Sequence, residues 1–138
     1  MVHALQEAWR VLVPRGIFID LRPICIDAPL EIVTSTGCAF AGFVDQSPNI
    51  PDDIAADNAI QVILRDNLFK EMQVDYFDFA YYWNTVTEMK AFMDDNWKDD
   101  IILPDGVLQQ VHLLFDQNRD QGRVRLRIRK RLAKFEKQ

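Results

Sequence analysis

With 138 residues, 49% of them hydrophobic and 27% charged, the chain has the ordinary composition of one globular domain with a single core. No stretch approaches the ~18 consecutive apolar residues of a membrane span, and the N-terminus has no basic region or small-residue cleavage site of a signal peptide, which predicts a cytoplasmic protein. The net charge of −5 is unevenly spread: from Arg119 onward nine Lys or Arg face only Asp120 and Glu136, so the last twenty residues carry +7 and the rest −12.

The first predicted element is a helix. Leu5, Ala8, Trp9 and Leu12 fall at i, i+3, i+4 and i+7 and form one apolar stripe. Pro14 stops it, and Gly16 supplies the permissive backbone of a tight turn. Ile17, Phe18, Ile19 and Leu21 follow with little polar alternation, which reads as a strand covered on both faces. Arg22-Pro23 and Ala28-Pro29 then bracket a short loop. Leu30–Thr34 and Ala39–Val44 are strand-like runs around Ser35-Thr36-Gly37-Cys38, a predicted hairpin over residues 30–45. Cys25 and Cys38 lack C-x-x-C spacing and read as reduced, small buried hydrophobes.

After the turn-rich segment Asp45–Asp52, a helix is predicted from an Asp52 or Asp53 cap to about Glu71, with Ala55, Ala59, Val62, Ile63, Asp66 and Phe69 on its inner face. Met72–Trp83 is dense in aromatic and β-branched residues and predicts a strand. Thr85-x-x-Glu88 is a capping-box pattern opening a helix that buries Met89, Phe92, Met93 and Trp97. Pro104 opens another, with Val107, Leu108, Val111, Leu114 and Phe115 at helical spacing. In the last segment Val124, Leu126, Ile128 and, after Lys130, Leu132 alternate with Arg123, Arg125, Arg127, Arg129 and Arg131, so one face is predicted to be buried and the other carries a guanidinium stripe.

The pattern A-L-x-E-A-x-R-V-L-x-P-x-G over Ala4–Gly16, followed by a hydrophobic strand, resembles the helix and fifth strand of class I S-adenosylmethionine-dependent methyltransferases. Arg15 stands where that family commonly has Gly. The resemblance implies that Met72–Trp83 corresponds to the sixth strand and the arginine-striped segment to the seventh, inserted antiparallel between fifth and sixth, with the hairpin an insertion on the substrate side. It also implies a C-terminal half only, because the family's glycine-rich cofactor loop and acidic ribose ligand belong upstream of this helix. The expected fold is therefore α+β, a single domain over residues 1–138 derived from a Rossmann-like methyltransferase. It has a twisted mixed or antiparallel sheet, three to four helices and a hairpin appendage.

Chemistry-bearing patterns are sparse. The five glycines form neither a G-x-G loop nor a P-loop, so no cofactor is expected in this chain alone; S-adenosylmethionine enters only with a partner or an N-terminal half. His112 and Asp116 at i, i+4 offer a metal only a pair, no nucleophile elbow is present, and no catalytic residue can be named. The aromatic residues from Tyr76 to Trp83 read either as a core strand or as a pocket wall. α/β sheets place ligands beyond the carboxyl ends of their strands, which makes Asp20, Arg22 and Tyr82 the candidate substrate-binding residues. The arginine stripe reads as a sheet face paired with acidic neighbours; the alternative, a nucleic-acid surface, is opposed by the acidity of the rest of the chain. An unpaired apolar strand edge together with the exposed helix face of Leu5 and Trp9 predicts a partner, either a second copy or the missing half.

Overall fold

The computed structural model describes residues 1–138. In chain order the elements are α1 (Val2–Val11), β1 (Ile17–Pro23), β2 (Ala28–Thr34), β3 (Gly37–Val44), α2 (Ile50–Arg65), β4 (Phe69–Trp83), α3 (Val86–Asn96), α4 (Asp105–Gln117) and β5 (Arg123–Lys137). The architecture is α+β with an antiparallel five-stranded sheet, ordered β1-β5-β2-β3, in which β4 also pairs with β5. The hairpin predicted as an appendage is built into this sheet: β2 pairs with β5 through Leu30↔Leu126 to Val33↔Arg123. The residues fall into two compact units, each with its own core.

The first unit comprises Met1–Ile24, Ile50–Phe77 and Lys130–Gln138. Its core is Leu5, Ala59, Ile60, Ile63, Phe69, Ala133 and Phe135, with Phe18, Trp9 and Leu12 packed against it. Phe18 stands between Phe69 and Phe135, with ring centroids 5.7 Å from each. The turn after α1 has a bond from the Gly16 N–H to the Val13 carbonyl at 2.8 Å, with Pro14 at its second position and Arg15 at φ +61 at its third. That is the signature of a type II turn, so the left-handed residue is Arg15 and not Gly16 as expected. Gly16 is needed for another reason: a Cβ there would lie 2.8 Å from the Val13 carbonyl oxygen. The Nζ of Lys137 donates to the Leu12 carbonyl at 2.7 Å and closes the end of the helix.

The expected double burial of β1 is not found. β1 pairs only with β5, from Ile17↔Glu136 to Pro23↔Lys130, and its accessibility alternates along its length. Ile17, Ile19 and Leu21 are 42%, 50% and 58% exposed. A continuous apolar run predicts burial only if both faces and both edges acquire neighbours, and in this chain one face and one edge of β1 do not.

α2 also differs from expectation. It begins at Ile50, so Asp52 and Asp53 occupy its first turn, where carboxylates favour the helix dipole, instead of capping it. Its buried face is Ala56, Ala59, Ile60 and Ile63. It ends early because Asn67 adopts φ +53, with the Leu68 N–H bonded to the Ile63 carbonyl and the Asn67 N–H to that of Leu64. This is a Schellman ending with Asn in the left-handed position, and Leu68 packs against the cluster that contains Ile63.

The second unit comprises Cys25–Asn49 and Asp78–Arg129. Leu30, Ile32, Val44, Val124, Leu126 and Ile128 from the strands and Val86, Met89, Met93 and Val111 from the helices form its core. The predicted inner faces of both helices are the ones that pack: Phe92 from α3 and Trp97 just past its end, and Val107, Leu108, Leu114 and Phe115 from α4. Thr85 accepts from the Glu88 N–H at 3.1 Å, the forward half of the predicted capping box, while Glu88 reaches back at 2.9 Å to the N–H of Asn84 instead of that of Thr85. Tyr81 and Trp83 turn inward onto Phe92 and Trp97, with centroids as close as 4.9 Å. Neither cysteine is buried as expected: Cys38 is exposed beside the hairpin tip, and Cys25 is half-buried in the loop before β2.

The core-facing parity of β5 changes along its length. Even positions 124, 126 and 128 are buried in the second unit, odd positions 133 and 135 in the first. Sequence alternation therefore gives the face correctly only as far as Ile128: Leu132, expected on the buried face, is half-buried, and its neighbour Ala133 takes the core position.

Candidate functional site: two arginine networks

Strand periodicity lines up the odd-numbered arginines of β5, and the chain uses them in two ways. Four of the five meet carboxylates: Arg125 and Arg127 on Glu31, Arg127 and Arg129 on Asp78, and Arg131 on Asp20 and Glu71. Arg123 lies over the Tyr82 ring, 4.9 Å from its centroid.

In the first unit the network is shielded. Asp20 Oδ2 accepts from Arg22 Nε at 3.2 Å and from Arg131 Nη1 at 2.7 Å, and Arg131 Nη2 reaches Glu71 at 3.0 Å. Arg22 also donates to the Asp53 carbonyl at 3.3 Å and to the Asp57 carboxylate on α2. Burial opposes the charge on Arg22, but Asp57 and Asp20 outweigh it and raise its pKa above the ordinary arginine value. Two guanidiniums thus stand among four carboxylates, and the side chains of Arg22 and Arg131 are each only 13% exposed. Candidate residues Asp20 and Arg22 do come together here, and their hydrogen-bonding capacity is largely met by α2 and β5. Asp53 and Asp57, an i, i+4 pair on α2, were not recognised from the sequence; that spacing on one helix face was the available signal.

The second network lies on the sheet face away from α3 and α4. Glu31, only 5% exposed, accepts from Arg125 Nε at 2.9 Å and Arg127 Nη2 at 2.9 Å. Burial works against ionisation of Glu31, yet Arg127 and Arg125 prevail and hold its pKa below the usual carboxylate range. Tyr82, the third candidate residue, belongs to this unit and carries Arg123 on its ring.

Two phenylalanines on this face were missed from the sequence. β2 and β3 pair as Pro29↔Phe43 and Glu31↔Phe40, with the register shifting between Leu30 and Glu31. The extra residue puts Phe40 and Phe43, three apart in sequence, on the side of Glu31, where their rings meet edge to face at 5.0 Å. Gly42 makes the irregularity possible. Its φ is +152, and a Cβ would stand 2.6 Å from Val107 Cγ2 on α4.

Elsewhere the chain offers less. His112 lies with Thr85, Phe115, Asp116 and Arg119 around a shallow depression of about 430 Å³, where Asp116 is engaged by Arg119 at 2.6 Å. No three His, Cys, Asp or Glu side chains converge as a metal group would require. The close-packed glycines face the protein itself: Gly16 meets Val13 and Leu12, Gly42 meets Val107, and Gly122 meets Asn118 and Ile32. No helix is long and apolar enough to cross a membrane.

The fold and its two networks define the chain as an α+β protein with a partly uncovered antiparallel sheet. No protein-family model, curated protein or solved structure matches it.

Proposed function

We propose that the chain is the substrate-side half of a methyltransferase-like scaffold, inactive alone, and that a segment carrying the cofactor cradle completes it along β1. The observation that carries this reading is strand pairing: β5 lies antiparallel to β1 and pairs with β4 as well, while β1 has no other neighbour. That is the arrangement expected if β1, β4 and β5 correspond to the fifth, sixth and seventh strands of the family that Ala4–Leu21 resembles. The left-handed Arg15 adds support, since the position where that family commonly has Gly is the one whose backbone favours it. In the family the fifth strand continues into a parallel sheet, and the uncovered edge of β1, with Ile17, Ile19 and Leu21 beside it, is where such a sheet would attach. In solutions of this chain alone the same edge pairs with a second copy.

Calorimetry with S-adenosylmethionine tests the division of labour. The 138-residue chain is expected to give no saturable heat, and submicromolar to micromolar binding would overturn the reading.

A further inference from the structure

The second unit has an uncovered sheet face whose composition is unusual for a surface that only meets water. Phe40, Phe43 and Tyr82 are 53%, 49% and 44% exposed, and they stand on the same side as Arg123, Arg125, Arg127 and Arg129. Exposed polar residues are the norm for the solvated side of an antiparallel sheet; three exposed rings beside four guanidiniums are not.

We propose that this face binds single-stranded nucleic acid. The charge balance argues for an anion: three guanidiniums meet two carboxylates, Glu31 and Asp78, and Arg123 lies on the Tyr82 ring, so the four exceed those two carboxylates by two positive charges. The acidity that opposes a polyanion over the chain as a whole is sorted away from this surface. The unit's carboxylates between Glu88 and Asp120 belong to α3, α4 and their flanking turns, and both helices pack on the other side of the sheet. The spacing argues for a strand. Alternate residues on β5 are about 7 Å apart, so the guanidiniums form a straight row able to follow consecutive phosphates. Glu31 and Asp78 orient that row by holding Arg125, Arg127 and Arg129, and Arg123, with no carboxylate partner, lies on Tyr82. The rings supply what a simple polyanion would not use. Unstacked bases lie on exposed aromatic faces and on arginine planes, which makes the contact tolerant of sequence. Duplexes keep their bases stacked and gain only the charge term.

Fluorescence anisotropy with labelled dT and U oligonucleotides tests this, using the full chain, Arg123→Gln and Phe40→Ala, with folding checked by circular dichroism. Both replaced side chains are exposed, so the variants are expected to fold. Binding in the micromolar range is expected, weakening about tenfold between 50 and 200 mM salt. Phe40→Ala is expected to weaken oligonucleotide binding at least fivefold while leaving heparin retention unchanged, and Arg123→Gln to weaken both. Absence of oligonucleotide binding overturns the proposal. So does binding that Phe40→Ala leaves untouched, which would reduce the face to a nonspecific charge patch. Tighter, Arg123-dependent binding of polyglutamate than of either oligonucleotide overturns it in favour of an acidic protein partner.

Discussion

The two arginine networks draw on one strand and come out opposite in character. In the first unit Arg22 and Arg131 are enclosed by four carboxylates, with α2 supplying Asp53 and Asp57. In the second, three arginines share two carboxylates and a fourth, Arg123, lies on Tyr82, on the sheet face away from α3 and α4. The identity of the residues does not decide the outcome; what packs over them does. A guanidinium under a helix is matched and spent on holding that helix, whereas one on an uncovered sheet keeps donors for another molecule. β1 illustrates the same division, with Phe18, Asp20 and Arg22 engaged on one face and Ile17, Ile19 and Leu21 left outside.

The strongest way to break the second unit's face is through its backbone. Gly42→Ala places a Cβ against Val107 at a φ that L-residues avoid, and is expected to cost about 2 to 4 kcal/mol in denaturant unfolding. A loss below about 1 kcal/mol would mean that the irregularity in β3 is not held as described. Next in size is the carboxylate that orders the row. Glu31→Gln leaves Arg125 and Arg127 without their shared charge; since both arginines are partly exposed, the expected loss is about 2 kcal/mol, short of the full cost of breaking a buried pair. The same residue gives a pH signature. Its folded pKa lies below the unfolded value, so its contribution is complete above about pH 5 and is lost as pH falls through the depressed value. Wild-type stability should therefore fall more steeply than that of Glu31→Gln below about pH 4. Parallel acid profiles would contradict the pairing.

A smaller change sharpens the first unit. Arg15→Gly relieves a left-handed arginine whose bridge to Glu136, at 3.8 Å and with Arg15 84% exposed, contributes little. It is expected to be stabilising by about 0.5 to 1 kcal/mol, visible as a higher melting temperature. A loss would argue against the turn.

How far the sequence disclosed this arrangement differs between the units. α3 and α4 were legible because Met89, Phe92, Met93 and Trp97, and likewise Val107 through Phe115, repeat at the helical period and their inner faces pack as that period requires. The Thr85 cap was legible because it is a local bond pattern, though the Glu88 carboxylate closes on Asn84 and not on Thr85. β1 misled because an apolar run reports affinity for burial and says nothing of whether neighbours are present to provide it. The end of α2 was missed because Asn67 acts through its φ, a property that composition carries weakly. The Arg22–Asp57 contact joins residues 35 positions apart, beyond any local period. The Phe40–Phe43 pair was hidden by parity: strict alternation assigns them to opposite faces, and only the register shift unites them.

The smallest expected effect on stability belongs to the substitution that bears most on the account's central claim. Ile19→Lys on β1 replaces a side chain that is half exposed and is expected to change folding stability by less than about 0.5 kcal/mol. Multi-angle light scattering of the wild type over a concentration series should give a mass rising from the 16.1 kDa of one chain towards twice that value, with Ile19→Lys remaining at the single-chain mass and equally folded. A wild type that stays a well-folded monomer at every concentration would contradict the claim that β1 is built to receive a neighbour.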